Sequence, residues 1–183
     1  MSATGLPVFD RTLQTTHIWI DEIMADLGPS RRTAWHALGV VLRTIRDRVT
    51  LELAIHLGAQ LPLLVRGAYY EQFCPGSPPD WFRSLDDFFS HIADGLDGGP
   101  PVNARDAAAS VFRVLSRHVD EGQIAKVQQA LPHHLRRFWE EAASGIEGPE
   151  ARSAALRRRF DAGPAEEAAG EATSAADVIA AGR

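Results

Sequence analysis

One cysteine, Cys74, is all that this 183-residue chain contains, which excludes an internal disulfide and a thiolate metal site. It stands just before Pro75 and Gly76, where a helix should end, and reads as a small, partly buried side chain. Nothing near it in the sequence would lower its pKa as a nucleophile requires. Long apolar runs are missing too. The longest, about 54–65, is interrupted by His56, Gln60 and Pro62 and falls short of the roughly 18 residues a membrane helix needs. No positively charged start followed by an apolar stretch marks a secretory signal, so the expected location is the cytoplasm and no membrane is expected as a partner.

Charge of one sign does not dominate. The formal net charge is −5 and the isoelectric point is near 5.8, which argues against a general affinity for phosphate backbones. Arginines do gather at Arg31, Arg32, Arg43, Arg46 and Arg48, and again at Arg157, Arg158 and Arg159. Asp47 interrupts the first group, and both read as solvated helix faces. Nucleic acid is not expected as a partner. Also absent are Gly-x-Gly-x-x-Gly, the P-loop, Gly-x-Ser-x-Gly, zinc-ligand spacings, His-Glu-x-x-His and the Glu-x-x-His of di-iron bundles. No catalytic residue, metal ligand set or cofactor is therefore assigned.

What the chain does contain is an internal repeat. Residues 33–72, shifted by seventy positions, fall without a gap on 103–142. The shift aligns Ala34 with Ala104, Ala37 with Ala107, Val41 with Val111, Arg43 with Arg113, and Val49 with Val119. It also aligns Leu61-Pro62 with Leu131-Pro132, Arg66 with Arg136, and Glu71 with Glu141. Several of the remaining pairs exchange one apolar residue for another, such as Leu42 for Phe112 and Tyr69 for Trp139. A fixed period of this kind marks a repeated structural unit.

Local periodicity supplies the elements. Leu13, Thr16, His17, Ile20, Ile23, Met24 and Leu27 recur at three- and four-residue steps, one apolar helix face. Asp10 is its expected N-cap and Gly28-Pro29 its stop. A second helix over about 31–48 is capped by Ser30, with Leu38, Val41, Leu42, Ile45 and Val49 turned inward. A third spans about 51–60, and the Leu61-Pro62 corner opens a fourth over 62–73. The stretch Cys74-Pro75-Gly76-Ser77-Pro78-Pro79 is a joint, after which Ser84 caps a helix with Leu85, Phe88, Phe89, Ile92 and Leu96 on its face. Helices at about 104–118, 121–130 and 132–144 complete the second set. No segment alternates as a half-buried strand does.

The expected fold is all-α, a tandem duplication of a four-helix unit with about eight helices and one further short C-terminal helix at 149–160. The organisation is a first helical repeat over 1–74, a linker at 75–83, a second repeat over 84–146, and a C-terminal helix and tail over 147–183. Units of about seventy residues have limited core of their own, so the repeats should share one compact core. Residues 161–183 are rich in Ala, Gly and Glu and read as a disordered tail, with Val178 and Ile179 its only large apolar residues.

The stretch Thr15-Thr16-His17-Ile18-Trp19-Ile20-Asp21-Glu22-Ile23 and the later Leu57-Gly58-Ala59-Gln60-Leu61-Pro62 through Tyr70 resemble a bacterial family catalogued as domain of unknown function 2267. Val111 through Val119, Gly122-Gln123-Ile124 and Leu131-Pro132 are similar to it as well. The resemblance covers about residues 8–142. It implies a small all-α protein and carries no catalytic residue to this chain. The family often has an acidic residue where Gln123 stands.

Candidate ligand-binding residues are His17, Arg66, Tyr69, Tyr70 and Arg136. His17 lies within the apolar stripe of the first helix, where a buried imidazole needs a partner such as Tyr69, Tyr70 or Asp86. Arg66 and Arg136 follow the two Leu-Pro corners, either as anion-binding forks or as caps for carbonyls of their own unit. Glu52/His56 and Asp87/His91, each four residues apart, read as surface ion pairs. Trp19, Trp35, Trp81 and Trp139 read as core or interface residues, and any left exposed would mark a partner surface. The expected function is a non-enzymatic helical interaction module, a scaffold for a protein partner or for a second copy of itself. The alternative is a sensor that holds a small ligand in a pocket between the two repeats.

Overall fold

The computed structural model describes residues 5–76 and 82–145. The chain divides into two units, Met1–Ile146 and Glu147–Arg183, and every described residue belongs to the first. Ser77-Pro78-Pro79 of the joint, Trp81, the arginines 157–159, the helix expected at 149–160 and the tail with Val178 and Ile179 lie outside the described residues.

Eight α-helices and no strand are found among the described residues: α1 (Pro7–Leu27), α2 (Arg31–Arg48), α3 (Leu51–Gln60), α4 (Leu63–Tyr70), α5 (Leu85–Leu96), α6 (Ala104–His118), α7 (Glu121–Ala130) and α8 (His133–Ala143). The fold is all-α. Helix starts follow their caps. Ser30 Oγ accepts from the Thr33 amide at 3.2 Å and Ser84 Oγ from the Asp87 amide at 3.0 Å, each satisfying one of the amides a first turn leaves without an intrahelical partner. Thr50, Asn103 and Asp120 do the same for α3, α6 and α7.

Two boundaries differ from the sequence-based expectation. α1 begins at Pro7 with Leu6 as N-cap, rather than at Asp10. Proline suits the first helical position, since the amide it lacks has no partner there, and Asp10 instead places its charge in the first turn, where the helix dipole favours it. The fourth helix spans Leu63–Tyr70, not 62–73. The chain leaves it at Glu71, and Gln72 takes a left-handed φ of 54° that no α-helix continues.

α2 and α6 lie at the centre and pack on each other. α1 packs on α2 and also on α6, while α5 packs on α6 and also on α2. α4 and α8 flank α2 and α6 respectively, and α3 meets α7. The pairings α1–α2, α2–α4 and α3–α4 recur as α5–α6, α6–α8 and α7–α8, whereas α1 also packs on α4; the bounds of α7 are those of α3 advanced by seventy. Leu38, Val41, Leu42 and Ile45 of α2 are buried in one cluster with Val111, Phe112, Val114 and Leu115 of α6. That core is continuous across both sets.

The crossing of α2 and α5 is close enough to require glycine. A Cβ on Gly95 would stand 2.7 Å from Val40 Cγ1, and Val40 is buried and β-branched, with one favoured rotamer in a helix. Gly95→Ala should therefore destabilise the fold by about 1–3 kcal/mol, read as a shift of the urea midpoint. A Cβ on Gly58 meets the hydroxyl end of Tyr70 instead, a half-buried ring that can swing aside. Gly58→Ala should cost less than Gly95→Ala.

Candidate functional site

The candidate residues do not assemble into one pocket. His17 is exposed, contrary to its expected place in the core. The buried face of α1 is Thr16, Trp19, Ile20 and Ile23, which turns the inward stripe toward Trp19 and leaves His17 and Ile18 outside. Among the described residues no hydrogen bond joins His17 to Tyr69, Tyr70 or Asp86. Tyr69 is buried between α4 and its neighbours, and its hydroxyl donates to Ala54 O of α3 at 2.9 Å. Burial, with the neighbouring Tyr70, pushes its pKa up, so it stays a neutral donor.

Arg66 Nη2 donates to Ala59 O and Leu61 O at 2.9 and 3.0 Å. Arg136 donates through Nε to Gln128 O at 3.1 Å and through Nη2 to Gln129 O at 3.3 Å. Each arginine thus ties down carbonyls at the end of the preceding helix, before its own Leu-Pro corner, where such groups lack an intrahelical partner. Cys74 is exposed rather than partly buried. Glu52 and His56 form the exposed pair the spacing implied, at 4.0 Å. In the arginine-rich helix α2, Arg46 is buried rather than solvated. It donates to Tyr69 O and Glu71 O and pairs with Asp47, so α2 offers no continuous basic face.

A polar seam that sequence reasoning missed joins α1 to α6. Glu22 accepts from Arg117 Nη1 at 3.0 Å and lies 2.7 Å from His118 Nε2, whose ring stacks on Trp19. One turn on, Asp26 accepts from Ser110 Oγ at 2.6 Å and pairs with Arg113 at 2.8 Å. Burial alone would raise the Glu22 pKa, but the hydrogen bonds and charges of His118 and Arg117 outweigh it and hold the carboxyl below its ordinary value. A lowered carboxyl pKa stabilises the fold above the unfolded-state value, about 4.3, and the contribution disappears as pH falls through the folded value. Glu22→Gln should therefore lower the urea midpoint at pH 7, and the gap from the parent chain should close as pH drops below about 4.

Among the described residues an open groove lies between α2 and α4. It measures about 340 Å³ and is lined by Trp35, Gly67, Ala68, Tyr70 and Glu71. Trp35 is 38% exposed, unlike Trp19 and Trp139, which are fully buried. It therefore departs from the core role expected of it and meets the condition set for a partner surface. Glu71 stands at the rim, 3.4 Å from Arg43 Nη1. Leu64, also exposed, precedes Ala68 by four residues and so lies on the same side of α4.

Seventy residues after Ala68 stands Phe138, and seventy after Trp35 stands Arg105. Phe138 is buried, with the Phe89 ring edge-on at 5.1 Å and the Arg105 guanidinium over its face at 5.0 Å. Phe138 thus packs inward on α5 and α6, whereas Ala68 at the matching sequence position lines the groove. Of the candidate residues, only Tyr70 lines this groove.

A family model described as uncharacterized conserved protein (DUF2267) matches residues 16–138. The chain belongs to that family. The match starts in α1 where burial starts, at Thr16, and takes in α2 through α7 whole. The first turns of α1, none of whose residues 7–15 is buried, fall outside it. No curated protein is similar enough to this chain to lend it an activity. Membership in the DUF2267 family thus agrees with the all-α core and brings no chemistry to the groove. Among the described residues no group of histidine, cysteine and carboxylate side chains could hold a metal ion, and no helix is long and apolar enough to cross a membrane.

Proposed function

We propose that this chain is a non-enzymatic helical scaffold that binds protein, with the α2–α4 groove as its docking point. The observation that carries this reading is the exposed Trp35 beside the Gly67-Ala68 floor. Exposed aromatic residues next to small ones are typical anchors of protein interfaces, and the rest of the molecule supplies a rigid frame rather than reactive groups. A cytoplasmic setting suits the reading, since an exposed free cysteine persists best in a reducing compartment.

The alternative, a small-ligand sensor with its pocket between the repeats, draws less support. Its polar contacts are engaged elsewhere: Tyr69 and Arg66 bond helix carbonyls, and His17 faces solvent. The two readings separate by site-directed photocrosslinking in cells. A photoreactive phenylalanine analogue at position 35 should give a discrete protein adduct, while the same probe at the exposed position 86 should not. Absence of an adduct at position 35, or the same adducts from both positions, would count against the scaffold.

A further inference from the structure

The α1–α6 and α2–α5 crossings join the two helix sets and use different chemistry at matching points. Where α5 crosses α2, Gly95 comes up against Val40. Sixty-nine residues before Gly95 stands Asp26, and seventy after Val40 stands Ser110. These two meet where α1 crosses α6, with Ser110 Oγ donating to Asp26 at 2.6 Å. The fold admits a neutral contact at this point, and the α1 crossing carries a charge there instead.

That charge is one of a set. Asp26 also pairs with Arg113 at 2.8 Å. One turn earlier, Glu22 pairs with Arg117 at 3.0 Å and lies 2.7 Å from His118 Nε2. Both carboxylates come from α1, and their partners all come from α6. The other elements packed on α1 bring little charge to the seam. Arg31 of α2 pairs with Asp21 at 3.6 Å, both exposed. Arg66 of α4 is taken up by the carbonyls of Ala59 and Leu61, and Tyr69 and Tyr70 are phenols that gain no charge in acid. Asp120, next to His118, accepts from the Gln123 amide at the start of α7.

Acid reverses the sign across the seam. At neutral pH α1 sets Asp10, Asp21, Glu22 and Asp26 against Arg11, while α6 sets Arg105, Arg113 and Arg117 against Asp106. With the carboxyls protonated, α1 keeps only the positive charge of Arg11 and His17. α6 is left with Arg113 and Arg117, four residues apart on one face, beside His118. Attraction between the helices becomes repulsion. The apolar hold on α1 is short, with Thr16, Trp19, Ile20 and Ile23 buried and Met24 and Leu27 half-buried against the core.

We infer that the α1–α6 seam is an acid-sensitive latch: ionised Glu22 and Asp26 hold α1 on α6, and their protonation frees α1 before the rest of the fold opens. Release uncovers the Trp19, Ile20 and Ile23 face of α1 and the apolar surface beneath it. α8 gives the contrast, clamped to α6 by the stacked rings of Trp139 and Phe112, which carry no titrating group. The latch does not depend on what occupies the groove.

Amide hydrogen exchange on the full chain tests this, with labelling times scaled for the pH dependence of intrinsic exchange. Between about pH 7 and about pH 3, a span that includes the ordinary carboxyl values, residues 19–27 should lose protection at a higher pH than α8. At about pH 7, Glu22→Gln combined with Asp26→Asn should speed exchange over 19–27 at least about tenfold and leave α8 at the parent's rate. Asp21→Asn, which removes only the exposed pair with Arg31, should leave α1 at the parent's rate. Loss of protection in α1 and α8 together on acidification would overturn the inference, as would a folded double variant that protects 19–27 as the parent does. So would an Asp21→Asn chain whose α1 exchanges as fast as the double variant's, since net charge rather than the seam would then hold the helix. If circular dichroism shows the double variant unfolded, the pH series on the parent chain decides alone.

Discussion

Trp139→Ala is expected to cost about 3–5 kcal/mol, the range for emptying a large aromatic site in a packed core, and to lower the melting temperature by about 10 °C or more. The indole is fully buried, stacks on Phe112 with ring centres 4.1 Å apart and planes 10° from parallel, and donates through Nε1 to Ser116 Oγ at 2.9 Å. Removing it takes away the ring that clamps α8 to α6 and leaves a cavity that two rigid helices cannot close. The matched position on α4, Tyr69, gives a useful comparison. Tyr69→Phe keeps the ring and loses only the bond to Ala54 O, so it should cost about 1 kcal/mol. Chemical denaturation of the three proteins side by side checks the ordering.

Arg46→Ala is the second large effect, at about 2–4 kcal/mol. Arg46 is only 3% exposed. Its guanidinium donates to Tyr69 O and Glu71 O at the end of α4, forms a two-point pair with Asp47 at 2.6 and 2.8 Å, and lies 4.7 Å from the centre of the Phe73 ring. Alanine would leave those carbonyls without their donor and the Asp47 carboxylate without its counter-charge. Arg46→Lys should recover less than half of the loss, because a single ammonium cannot serve two carbonyls and both carboxylate oxygens in one plane. Faster amide hydrogen exchange across residues 69–74 than in the parent would place the damage at the end of α4. A spread of faster exchange over α6 and α8 would contradict a local role.

Much of the fold was legible in the sequence because it is written locally. Ser30 and Ser84 announced their helices, and the Leu61-Pro62 and Leu131-Pro132 corners stand where expected. Residues spaced three and four apart pointed inward on α2 and α6 as their periodicity implied. α1 misled because its stripe was read over the whole helix, whereas only the part from Thr16 onward is covered by the core. Including Leu13 and His17 pulled the apparent face away from Trp19.

The seam of Glu22 with Arg117 and His118 gave no local signal at all. Its partners lie 95 and 96 residues apart in the chain, and each alone is an ordinary surface charge. Arg66 and Arg136 had two readings, and the carbonyls they bond could be identified only once the corner geometry was known. At the seventy-residue shift Ala68 stands against Phe138 and Trp35 against Arg105, but neither exchange told which side of α4 would be left open.

As proposed above, the chain binds protein through the α2–α4 groove. Native mass spectrometry of the protein purified gently from its own host tests it most directly. The expected spectrum shows an assembly heavier than the 20.0 kDa chain by the mass of a protein, a second copy or another, and the assembly disappears in Ala68→Phe. A bare chain, or one carrying a stoichiometric small molecule with no protein partner, would contradict the claim.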